Sequence, residues 1–203
     1  MTLTENRAAN LASSGASAVA RRAMIDSQLR TSGVNEPWVL AAMDRVPRED
    51  FVPENARAAA YIDRAVPLGD GRFLAAPLVH GKMLAEAVPT AADTALLVGD
   101  GAGYLATLLR PLVGSLEASL SGVEAAKAGV YSLIVVDGAI EELPTALAAQ
   151  LAEGGRIVTG LVLRGVTRLA AGRKTAGEVA LLPLAEIGIP VLPEFATPKR
   201  WSF

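Results

Sequence analysis

The sequence predicts an α/β fold built on a mostly parallel sheet, and three observations lead there. Thr94–Val98 and Tyr131–Val136 are short apolar runs without polar alternation, the pattern of strands buried on both faces. Helical patterns separate these runs, as parallel crossovers require. Two late, closely spaced strand-like runs, around Thr167–Arg173 and Val179–Ile189, predict an antiparallel hairpin at one edge.

The elements follow in chain order. Residues 1–20 carry Ala, Ser, Asn and Gly without a firm apolar period and read as a loosely held leader that turns helical near Ala16. From Ala20, Met24, Ile25 and Leu29 keep helical spacing, and Gly33 supplies a stop. A second helix is expected from about Glu36 to Arg45, with Pro37 in its first turn and Trp38, Val39, Ala42 and Met43 on one side. PREDFVPENARAAAY leads into a short third helix ending near Tyr61, and DRAVPLGDGRFLAAP reads as a loop. After Pro77 a helix places Val79, Met83, Leu84 and Val88 inward. LATLLRPLV follows the first strand as a helix, IEELPTALAAQL follows the second, and GGRIVTGLVL reads as a further strand. The division expected is one domain over 1–203, with helices over 21–90 and the α/β core over 91–203.

Composition removes several function classes. The 203 residues are 51% hydrophobic, long enough to bury a core without disulfide or metal staples. Lys and Arg number 19 and Asp and Glu 21, a net charge of −2 that supplies no basic face for nucleic acid. With no cysteine, disulfides, thiolate metal sites and cysteine nucleophiles drop out together. A single histidine, His80, excludes any site needing two imidazoles. No apolar run is long enough to span a membrane, and the N-terminus lacks the pattern of a secretory signal, so the expected address is the cytoplasm.

One motif carries chemistry. Gly99, Gly101 and Gly103 form GxGxG at a strand-to-helix junction, where backbone passes close to a nucleotide and helix N–H groups face it. Tight packing of a buried junction asks for the same glycines, so both readings stand at this point. Asp137 follows the second strand, where open sheets bind ligands, and it equally suits a cap on the helix starting at Ile140. His80, on the helix after Pro77, reads as a packed histidine rather than a catalytic one.

A wider pattern adds a resemblance. SQLRTSGV, VLAAMDRVPREDFV, AYID, PLGDGRFLAAPLVHGKM, VGDGAGY and PTALAAQLAEGGRIV follow one another in an order that resembles the protein-L-isoaspartate O-methyltransferases over roughly residues 24–160. The resemblance implies a Rossmann-like methyltransferase sheet with the N-terminal helices packed on it. It implies S-adenosylmethionine as cofactor, bound near Gly99, Asp100, Gly101, Gly103 and Asp137, with Ala75 and Pro77 in the loop on the substrate side. The reaction implied is methylation of the α-carboxyl of isoaspartyl residues in damaged proteins, a repair step. Such chemistry needs positioning and electrostatics rather than a nucleophile or metal.

The chain departs from that pattern in four places. Leu97 stands where the family carries an acid two residues before the first glycine, and Ala75 stands where it carries a serine. Only 32 residues, Asp100 to Tyr131, separate Gly99 from Ser132, so one edge βα unit is expected to be missing. The family's ribose-binding acid falls at Leu120, with Glu117 and Glu124 as nearby substitutes. These departures keep a second reading alongside the first, an inactive relative serving as a binding or scaffold protein with weak or no cofactor binding. An open crevice beside Gly99–Gly103, with Asp137 and an acid from Glu117 or Glu124 pointing inward, favours the enzyme; Leu97, Leu105 or the N-terminal helices filling it favour the scaffold. The shortened edge also predicts that a strand at Ser115–Leu120 is covered by the N-terminal segment or by a second copy in a homodimer.

Overall fold

The computed structural model describes residues 15–122 and 128–196. A helix over 15–24 (α1) runs into a wider turn at Ile25–Leu29 and a tight one at Arg30–Ser32, and it stops at Gly33. Helix α2 spans Pro37–Arg45 and α3 spans Pro77–Ala87, each with proline in its first turn. Leu40 joins Val39, Ala42 and Met43 on the buried side of α2, while Trp38 is half-buried.

Between α2 and α3 two expectations need correction. The third helix is a pair of 3-10 turns, Arg48–Phe51 and Glu54–Ala59, because Pro53 separates them before an α-turn can propagate. The loop before Pro77 contains an antiparallel hairpin, β1 (Val66–Gly69) with β2 (Arg72–Leu74). Gly69, Asp70 and Gly71 turn it with φ of 106°, 50° and 73°, a path that glycine and aspartate tolerate.

Among the described residues the main sheet holds six strands in the order β4-β3-β5-β6-β7-β8. They are β3 (Thr94–Val98), β4 (Ser115–Ser119), β5 (Tyr131–Ile140), β6 (Leu151–Leu163), β7 (Val166–Thr175) and β8 (Glu178–Glu186). The first four in sheet order run parallel; β7 and β8 add an antiparallel extension, as expected. Helix α4 (Tyr104–Leu109) follows β3, and α5 (Thr145–Gln150) follows β5. Among the described residues the sheet ends at β4, and only residues 120–130 lie between β4 and β5, in keeping with the missing edge unit.

Strand alternation divides the core in two. Ala95, Leu97, Leu133 and Val135 point to one face, Leu96, Val98, Ile134 and Val136 to the other. Val79, Met83, Leu84 and Ala87 of α3 join the first face, and Met24, Leu29, Val39 and Met43 of the N-terminal helices continue the same cluster. Leu147 of α5 covers the second. Val88, expected inward, is 55% exposed: it ends α3 in a left-handed conformation, which swings its side chain off the helix face.

A further correction concerns β5. The strand runs past Val136 to Ile140, with a register irregularity between Val135 and Ala139, so Asp137 lies within a strand and does not cap a helix. A returning segment supports this extension, since the Ala139 N–H donates to the Pro190 carbonyl and the Leu192 N–H to that of Ala139. At the opposite end of the sheet, buried Asp93 accepts from Arg156, Ser132 and Thr90, tying the starts of β3, β5 and β6 together.

Candidate active site

The carboxyl ends of β3 and β5 open into a cleft of about 430 Å3. Gly99, Asp100, Ala102, Gly103 and Tyr104 form one wall. Asp50–Pro53 form a second, the hairpin residues Leu68 and Arg72–Leu74 a third, with Asp137 and Leu192 between them. Neither Leu97 nor Leu105 lines the cleft, since both are fully buried in the first-face core.

The glycines of the turn have packing reasons. A Cβ at Gly99 would lie 2.9 Å from Asp137 Cβ, one at Gly101 2.9 Å from Ala118 Cβ, and one at Gly103 3.0 Å from the Asp100 carbonyl oxygen. Adjacent strands and the turn's own backbone therefore approach too closely for a side chain. The turn is fixed by Asp100, whose Oδ1 accepts from the Ala102 N–H at 2.9 Å and whose carbonyl accepts from the Gly103 N–H.

Beneath these walls lies a buried polar chain. Arg48, fully buried, donates through Nε to the Ala60 carbonyl (2.8 Å), through Nη2 to the Ala75 carbonyl (2.7 Å) and through Nη1 to His80 Nδ1 (3.1 Å). His80, also fully buried, meets Asp137 Oδ1 through Nε2 at 2.9 Å. The guanidinium lies 4.7 Å from the centroid of the Tyr104 ring, which also contacts Phe51 edge-on. One arginine from the PREDF segment thus joins the hairpin loop, α3, the glycine turn and β5. Burial pushes Arg48 below the usual guanidinium range, opposed by Tyr104 and Asp137. Burial likewise pushes the Tyr104 phenol up to about 12, opposed by the neighbouring Arg48 guanidinium.

Four of the expected site residues, Gly99, Asp100, Gly103 and Asp137, line the cleft; Gly101, Ala75 and Pro77 do not. Gly101 faces β4, Ala75 is buried with its carbonyl on Arg48, and Pro77 starts α3. Glu117 accepts from the Tyr131 hydroxyl at 2.7 Å and is not part of the cleft, and Glu124 lies outside the described residues. Leu120, just past β4, is 45% exposed. Sequence reasoning gave no role to Arg48, Asp50, Phe51, Arg72 or Tyr104. PREDF, with Arg48, Asp50 and Phe51, is the local signal for three of them; Arg72 and Tyr104 fall in PLGDGRFLAAP and VGDGAGY. No group of three or more His, Asp or Glu side chains among the described residues could hold a metal ion.

A parallel sheet with a glycine turn and a strand-end cleft is the architecture of a Rossmann-like methyltransferase. Comparison with solved structures agrees on the fold. A Plasmodium falciparum structure, described as a protein-L-isoaspartate O-methyltransferase in complex with S-adenosyl-L-homocysteine, superposes with a TM-score of 0.70 at 19% identity, covering 86% of this chain and 98% of that one. The family model for protein-L-isoaspartate(D-aspartate) O-methyltransferase matches residues 20–128. The protein-L-isoaspartate O-methyltransferase of Methanoculleus marisnigri is 32% identical, with 86% of this chain and 92% of the relative covered. That of Koribacter versatilis is 33% identical over 80% and 85%. The chain therefore belongs to the protein-L-isoaspartate O-methyltransferase family. No helix among the described residues is long and apolar enough to cross a membrane.

Proposed function

We propose that this protein methylates the α-carboxyl of isoaspartyl residues in proteins, with S-adenosylmethionine bound at the glycine turn. One observation carries the reading: the cleft sets carboxylates at the strand ends and a guanidinium on the facing hairpin, with Asp50 as a further acid on the wall formed by Asp50–Pro53. Asp100 and Asp137 lie at the strand ends, and Arg72, the basic residue lining the cleft, projects from the hairpin. A methyl transfer between a cation and a carboxylate asks for that division. The acids suit the sulfonium and ammonium end of the cofactor, and Arg72 suits the substrate carboxylate. Arg72 pairs with Glu194 at a partly exposed site, a partner it can exchange at small cost.

Tested against the residues present, the cofactor fits at its methionine end. When bound it supplies an electrophilic methyl group on a positively charged sulfur. Asp137 and Asp100 hold that end, Tyr104 and Phe51 exclude water from the wall beside it, and Arg72 orients the incoming carboxylate. Exposed Phe73 and Leu68 give the hairpin an apolar rim for the flanking peptide. The reading carries with it a cytoplasmic address; a core cluster reaching from Met24 to Ile189 supports a single folding unit across the described residues.

A second reading has its own observations. Leu97 is fully buried, Ala75 offers no hydroxyl, and Leu120 offers no acceptor for ribose. On that reading the protein is an inactive relative that binds partners through the same fold. Titration calorimetry with S-adenosylmethionine separates the two. Micromolar binding supports the enzyme, and no heat at millimolar ligand supports the inactive relative.

A further inference from the structure

Most buried polar groups in this protein have a structural use. Asp93 clasps three strands, Tyr61 ties Glu49 to Arg21, and Gln150 holds the Gly122 carbonyl. The chain Arg48–His80–Asp137 differs because it ends in the cleft. A guanidinium only donates hydrogen bonds, so His80 Nδ1, 3.1 Å from Arg48 Nη1, must present its lone pair. The imidazole proton then sits on Nε2 and is donated to Asp137 Oδ1 at 2.9 Å. The other tautomer would set N–H against N–H at Arg48 and a lone pair against the carboxylate at Asp137. The doubly protonated ring repeats the first clash. Geometry thus selects one tautomer and one direction of donation along the chain.

Asp137 is fixed by this chain and by its neighbour. Its Cβ lies against Gly99, and Oδ2 receives no hydrogen bond from the described residues, although the side chain is 18% exposed to the cleft. Pairing of Leu97 with Val135 and Val98 with Val136 brings Asp137 opposite Gly99, on the same sheet face as Leu97. A carboxylate on β5 therefore stands one step beyond the β3 position where Leu97 offers none.

We propose that Arg48 and His80 are positioning residues that hold the Asp137 carboxylate in one orientation, with Oδ2 left to receive a cationic donor group of the ligand. The assignment of that ligand rests on the reading above; the relay itself does not.

Because His80 is the single histidine, its imidazole can be observed without ambiguity. Long-range 1H–15N correlation on the unmodified, 15N-labelled protein at neutral pH should find a bare Nδ1 and a protonated Nε2. Adding S-adenosylmethionine should move the Nε2–H resonance. His80→Leu should raise the dissociation constant about tenfold or more, the scale seen when an outer partner of a binding group is removed. His80→Gln, whose amide can still donate to Asp137, should stay within about threefold of the unmodified protein. A protonated Nδ1 overturns the relay whether or not the variants fold. Binding of S-adenosylmethionine with an unmoved His80 signal overturns its link to the ligand. No binding by calorimetry overturns the cofactor reading and the relay's purpose with it, while the Nδ1 result still decides whether the relay exists.

Discussion

Replacing Asp93 by alanine should be among the most costly single changes outside the cleft. The carboxylate is 5% exposed and accepts from Arg156 Nη1 (2.9 Å) and Nη2 (2.7 Å), Ser132 Oγ (2.7 Å), and Thr90 N (2.8 Å) and Oγ1 (3.0 Å). Removing one member of a buried ion pair costs about 3–5 kcal/mol, mostly from the charge left behind. Here Arg156 retains the Ala87 and Val88 carbonyls and its side chain is 22% exposed, so water can reach it. The lower end, about 3 kcal/mol, is therefore expected, which lowers Tm by about 6–12 °C in a chain of this size.

The loss also has a pH signature. Arg156, then Ser132 and Thr90, hold the Asp93 carboxyl well below the usual carboxylate range against the effect of burial. A depressed folded-state value means that the stabilisation is complete above the unfolded value of about 3.9 and fades as pH falls toward the folded one. Urea unfolding of both proteins should give a constant difference from pH 8 to about 5 and a shrinking one below about 4. A loss under about 1 kcal/mol, or a difference that grows on acidification, would mean that Asp93 is not a stabilising buried partner of Arg156. Cofactor affinity should not change, because Asp93 lies at the other end of β3 from the cleft.

Other expectations concern the glycine turn and the sheet edge. Gly101→Ala drives a methyl to 2.9 Å from Ala118 and should cost about 1–3 kcal/mol in urea unfolding; adding Ala118→Gly should recover most of it. Leu120→Asp returns an acceptor to the ribose end and should tighten S-adenosylmethionine about tenfold or more by calorimetry. Unchanged affinity would mean that the ribose does not reach the end of β4. For β4, whose outer side has no strand partner among the described residues, cover by the N-terminal segment or by a second copy is expected, and sedimentation velocity distinguishes them: a homodimer supports the second copy. A monomer at all concentrations would count against a second copy as its cover.

The parts of the fold that were legible have strong local signals. TALLV and YSLIVV are too apolar and too short for anything but strands buried on both faces, and the glycines at 99, 101 and 103 mark the junction after the first. The hairpin β1–β2 was hidden because its strands are brief and its turn residues, Gly69–Gly71, also belong to loops. Asp137 and Gly138 look like the end of β5, and what extends it is distant in sequence: renewed pairing of Ala139 and Ile140 with Gly160 and Leu161 of β6, and the return of Pro190 and Leu192. The same separation concealed the buried chain. Arg48, His80 and Asp137 lie 32 and 57 residues apart, and nothing local says that they meet. Packing, not composition, turns a lone histidine into the centre of a polar network.

On the proposed function, this cleft brings a methyl cation donor and an isoaspartyl carboxylate together. Methyl transfer from S-adenosylmethionine to a synthetic isoaspartyl peptide, run beside the same peptide with normal aspartate, tests it most directly. Methyl ester is expected on the isoaspartyl peptide alone, abolished or strongly reduced by Arg72→Ala. Cofactor bound in calorimetry with no ester formed on either peptide would contradict it.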